Sequence, residues 1–132
     1  DIDWENFEIP QSFPALNFLD YTKRPDRITA NLPDNYRLIF SYSGAARYQK
    51  HVNTAVENNA PIAIVIDKMP TGAFHFLGRS EWIDGDQSDM VNCFQTGKNI
   101  FLKYKPSKNM TPEKIAASPF ILKTQNIIAR AA

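Results

Sequence analysis

The chain carries few groups able to do covalent chemistry. His51 and His75 are its only histidines and Cys93 its only cysteine. A structural zinc site takes closely spaced Cys and His ligands, and a hydrolytic one the H-E-x-x-H arrangement. Neither pattern occurs, so both histidines read as structural or surface residues. Asp84, Asp86 and Asp89 fall in one polar stretch, and D-x-D can hold a hard cation. The other ligands of a calcium loop do not follow, which leaves a solvated turn as the plain reading and a small metal-dependent enzyme as the competing one. Gly72 and Gly78 make neither G-x-G-x-x-G nor a P-loop. Cys93, between Asn92 and Phe94, has no nucleophile signature and reads as a buried thiol. The domain is therefore expected to catalyse nothing alone and to need no cofactor or metal.

Two stretches offer recognition chemistry instead. Phe40-Ser41-Tyr42-Ser43-Gly44 is followed closely by Arg47, Tyr48, Gln49, Lys50 and His51. Aromatic faces can stack on bases, hydroxyls can read base edges, and cations can neutralise phosphates. The same residues also suit a strand end leading into a helix. The second stretch is Gly72-Ala73-Phe74-His75-Phe76-Leu77-Gly78-Arg79, where Phe74 and Phe76 alternate with more polar neighbours. One face of it should enter a core. Arg79 and, just beyond, Trp82 could join the first stretch as phosphate and stacking contacts.

These residues need a scaffold, and 132 residues suffice for one domain. Hydrophobic residues make up 43% of the chain, too many for a disordered tail, and aromatics 12%, which favours strands. The alternation and β-branched content predict strands at residues 36–42, 62–66, 73–82 and 99–105. Pro70-Thr71-Gly72 should join the second and third as a hairpin. Near-helical spacing predicts a helix over residues 45–58, closed by Asn58-Asn59 before Pro61. Thr111-Pro112 signals a helix start, and Pro119 its end. Residues 1–35, with Pro10, Pro14, Pro25 and Pro33, read as an extended arm with short elements, 36–105 as a β-rich core, and 106–132 as a C-terminal helical segment. The expected fold is α+β, mainly β: a small, strongly bent sheet or open barrel with flanking helices.

Net charge is only +1, yet acidic residues crowd positions 1–20 while Lys98, Lys103, Lys105, Lys108, Lys114, Lys123 and Arg130 stand near the end. That asymmetry permits a basic face on a near-neutral protein. A single cysteine excludes an intrachain disulfide and suggests a reducing, intracellular, cytoplasmic setting. No apolar run approaches the ~18 residues of a membrane span. The chain reads as a piece of a larger protein, with that protein's other domains as neighbours.

The run Phe40-Ser41-Tyr42-Ser43-Gly44, then Asn53-Thr54-Ala55, Ala60-Pro61-Ile62-Ala63-Ile64-Val65 and Phe76-Leu77-Gly78-Arg79, resembles the SRA-like (YDG-type, PUA-like) domains of modification-dependent restriction endonucleases. The resemblance implies a PUA-like β-barrel that binds DNA, flips a methylated cytosine and reads it in a pocket with Tyr42, Ser43 and Gly44 at the rim. Ala45-Ala46-Arg47-Tyr48 replaces the acidic, glycine-rich continuation of those relatives, so a discriminating acceptor would come from elsewhere, Asp67 or Asp86. Residue chemistry adds Arg47, Tyr48, Lys50 and Arg79 as contacts, with Tyr42, Tyr48 and Trp82 to stack. DNA stands ahead of RNA as the partner; a protein-interaction domain, with the arm and the basic tail wrapping a neighbour, is the alternative.

Overall fold

A computed structural model describes residues 2–87 and 97–131. Cys93 and Asp89 lie outside the described residues. Six strands form one sheet: β1 (Phe18–Thr22), β2 (Tyr36–Ser41), β3 (Ile62–Ile66), β4 (Trp82–Asp84), β5 (Asn99–Lys103) and β6 (Ile121–Leu122). Their order is β1-β2-β3-β5-β4, with β6 also paired to β3. Every pairing between these strands is parallel. The helices are α1 (Ile9–Ser12), α2 (Pro25–Ile28), α3 (Gln49–Glu57), α4 (Pro112–Ala117) and α5 (Thr124–Ala131).

The mixed α and β class holds, but the sheet does not close into a barrel. β1 and β4 occupy opposite ends of the strand order, and closure would require them to pair. The expected hairpin is absent as well. Residues 73–81 hold no strand; they carry one tight turn, in which Phe76 and Arg79 exchange backbone bonds of 3.0 and 2.9 Å. Leu77 and Gly78 between them both have positive φ, 55° and 70°, as a type I′ turn demands. β4 begins only at Trp82 and runs parallel to β5. The segment read as an arm contains β1, paired with β2 along five residues from Phe18↔Tyr36 to Thr22↔Phe40.

Most of the core lies on one sheet face. Phe40, Ile62, Ile64, Ile66, Phe101 and Leu122 project there against Val52 and Ala55 of α3, with Ile28 of α2 and Ile127 of α5 at the margin. The apolar stripe Val52, Ala55, Val56 is what makes α3 bind this face. α3 ends in a Schellman motif: Asn59 takes φ 56°, its N–H reaches the Val56 carbonyl, and Ala60 N–H reaches that of Ala55. A smaller cluster of Ile39, Ala63 and Ile100 occupies the other face.

β3 is shared along one edge by two partners. β2 pairs with it at Ile62 and Ala63, and β6 pairs further on at Val65 and Ile66. The chain after β2 therefore turns away partway up β3, and residues 119–122 come in beside it. Gly44 N–H seals the junction by donating to the Pro119 carbonyl at 2.8 Å.

Candidate nucleic-acid interface

That junction brings the Tyr42–Lys50 stretch to the surface. Tyr42 continues past β2, donating its N–H to the Ala63 carbonyl at 2.9 Å. Its half-buried ring meets Phe76 edge-on, with centroids 5.3 Å apart. Ser43 is buried, and its Oγ accepts from Ala45 N–H at 3.3 Å, which fixes the turn into a short 3-10 segment over Ala46–Tyr48. At Gly44 the fit is tight: a Cβ would lie 2.9 Å from the Pro119 oxygen and 3.1 Å from the Tyr42 hydroxyl.

Beyond the turn, cations rest on aromatic faces. The Arg47 guanidinium lies 5.0 Å from the centroid of the Tyr48 ring. Lys23, which follows β1, places Nζ 5.5 Å from the Tyr48 centroid and 4.6 Å from that of Phe120. Tyr48 also meets His51 edge-on at 5.8 Å. Lys50 stands exposed on the first turn of α3. Lys123, just past β6, turns its ammonium back onto the Ser118 carbonyl; burial lowers its pKa, partly offset by the Asp67 charge. Each exposed cation–ring contact contributes about 0.5–1 kcal/mol. The contacts chiefly fix where the positive charges stand.

Arg79 and Trp82 do not join this surface. Arg79 is only 9% exposed; one guanidinium nitrogen donates to the Lys98 carbonyl at 3.2 Å, while Nη2 has no partner among the described residues. Burial lowers its pKa. Trp82 packs half-buried against Phe101 and donates its indole N–H to the Gly72 carbonyl at 3.2 Å. Both hold the 70–81 segment over the core, and Phe76 of that segment meets Tyr42. Asp86 binds the Lys103 N–H at 2.9 Å and so stands at the end of β4, while Asp67 follows β3.

Lys23 and Phe120 escaped the reading from residue types. They lie far apart in sequence, and only the β2–β6 junction unites them; no local pattern announces it. Among the described residues no group of three or more His, Cys, Asp or Glu could hold a metal ion, and no helix is long and apolar enough to cross a membrane. One cavity, of about 460 Å³, includes Asp67 and Phe74 in its lining, and another, of about 260 Å³, includes Trp4 and Tyr36. Neither has Tyr42 in its lining.

Residues 1–119 match the family described as Gene product 88. The chain belongs to the Gene product 88 family. No curated protein and no solved structure matches it significantly. In this Gene product 88 chain the matched region spans the cationic turn, the sheet through β5, and α4.

Proposed function

We propose that this Gene product 88 protein binds nucleic acid through the surface around Tyr48 and Phe120, and that the domain performs no reaction by itself. The observation that carries the reading is the placement of Lys23 and Arg47 over two aromatic rings, beside Lys50, at the β2–β6 junction. Such a surface offers cations held in place by the rings to the phosphates of a strand. Its finer form is an SRA-like, PUA-like module of a restriction-type protein that reads methylated cytosine in DNA. Base flipping costs a few kcal/mol and needs a pocket to repay it.

Fluorescence anisotropy with single-stranded, duplex and methylated duplex DNA, and with matching RNA, tests both forms. The three cations Lys23, Arg47 and Lys50 on a single strand predict a slope of about −2 in log K against log salt. The double variant Lys23→Ala with Arg47→Ala should weaken binding at least about tenfold and flatten that slope by more than one unit. Binding without salt dependence, or unaffected by the double variant, rejects the surface. Equal affinity for methylated and unmethylated duplex rejects the finer form alone.

A second reading, an assembly domain, is favoured by the exposed apolar residues of the first segment: Phe7 at 67%, Leu16 at 55% and Phe13 at 53%. Large apolar side chains exposed together in one short segment suit a partner-binding surface if they form a single patch. Light scattering that gives a monomer at high concentration removes self-assembly from this reading.

A further inference from the structure

The carboxyl end of β3 opens into the cavity of about 460 Å³, a volume within the usual range for small-ligand sites. Ligands in open parallel sheets lie outside the carboxyl ends of the strands, where neighbouring strands part. Here β3 carries β2 on its lower half and β6 on its upper half, and α5 begins directly beyond β6. The cavity sits between Asp67 after β3 and Thr124 at the start of α5.

Its lining divides by chemistry. Phe74 is buried and held edge-on to Phe101 at 5.5 Å, giving with Met69 a fixed apolar wall. Asp67 accepts through Oδ1 from the Thr124 N–H at 3.0 Å and so caps α5 from across the fold, while the Thr124 hydroxyl lies between that oxygen, at 3.0 Å, and the nearer Lys68 carbonyl. Its other oxygen makes no bond to a described residue, and a carboxylate can only accept. Lys68 is exposed beside it, and Gln125 supplies an exposed amide. An apolar wall, one acceptor and one cation suit a flat ring that has a donating edge and an attached phosphate.

We infer that this cavity takes a nucleotide whose base carries an exocyclic amino group, with Asp67 accepting from that group and Lys68 facing the phosphate. The inference rests on the nucleic-acid reading in one respect: the occupant would be one nucleotide of a bound strand. A uracil presents a carbonyl where cytosine presents the amino group, and two acceptors facing each other repel. The base preference is thus set by Asp67, while the surface around Tyr48 supplies affinity that ignores sequence.

Isothermal titration of the intact chain with cytidine, adenosine and uridine 5′-monophosphates, and with inorganic phosphate, tests the site. Cytidine or adenosine monophosphate should bind saturably, and uridine monophosphate at least about tenfold more weakly. Asp67→Asn keeps an oxygen to cap Thr124 but turns an N–H toward the ligand, so the preference should shift toward uridine monophosphate. Thr71→Trp, at an exposed position in the lining, should abolish binding of every nucleotide while the melting temperature holds. Lys68→Ala should weaken all three nucleotides alike. Equal affinity for the three nucleotides, none tighter than phosphate, overturns the proposal. So does an Asp67→Asn variant that melts normally with its preference unchanged. Oligonucleotide binding that persists when mononucleotides fail to bind leaves the surface reading standing and rejects the cavity; saturable mononucleotide binding without oligonucleotide binding does the reverse.

Discussion

At the scale of single residues, the tightest demands fall where backbone meets side chain. Gly85 is buried at the end of β4, and a Cβ there would stand 2.6 Å from Ile100 Cγ2 and 2.7 Å from Leu102 Cδ2. Gly85→Ala should therefore cost about 1–3 kcal/mol of stability, measurable by urea denaturation, because both neighbours are already packed. Arg27 is 2% exposed and donates to the Tyr36 hydroxyl at 2.7 Å, with Asp3 and Asp20 completing its charge balance at 3.1 and 3.5 Å. Burial pushes the Tyr36 phenol up to about 12, against the lowering pull of Arg27. A raised phenol stabilises the fold fully below about pH 10, where both states are protonated, and that contribution is lost as pH climbs through the folded value. Stability should fall between about pH 10 and 12, and Tyr36→Phe should remove that part of the slope.

At the scale of elements, local signals were legible and long-range ones were not. The Thr111-Pro112 start of α4 is capped as its residues imply, with Thr111 Oγ1 accepting from Lys114 N–H at 3.2 Å. Thr111→Ala should cost about 1 kcal/mol by the same denaturation assay. β2, β3, β5 and α3 also followed their periodicity, because burial on one or both faces writes itself into consecutive residues. The hairpin failed for a physical reason. Phe74 and Phe76 reach the core while Ala73 and His75 stay exposed, so a loop draped over the sheet copies the alternation of a strand. β1 stayed hidden because Asp20 breaks its apolar run, and Asp20 is there to serve Arg27 and Tyr36. The parallel topology stayed hidden too, since the α2 crossover is a single turn, Pro25–Ile28, too short to show a period. Of the candidate site, the contiguous part from Tyr42 to Lys50 was readable, whereas Lys23 and Phe120 depend on a tertiary junction.

At the scale of the whole molecule, the cations at the β2–β6 junction are mostly not those of the C-terminal basic run: Lys23 and Arg47 come from earlier in the chain, and only Lys123 from that run. Asp3 and Asp20 of the acidic first segment, with Asp26 beyond it, pair with Arg24 and Arg27, whereas Lys23, Arg47 and Lys123 stand around the β2–β6 junction. A near-neutral protein can thus present one basic face without being a general polycation. The junction has a further consequence for how the molecule comes into being. β6 is two residues long and closes an edge opened by β2 much earlier in the chain. During synthesis, the sheet through β5 can collapse while that edge stays bare, and the helix that Asp67 caps cannot yet exist. Both the basic surface and the cavity are therefore late products of folding, the first needing Phe120 and Lys123 and the second the helix Thr124–Ala131.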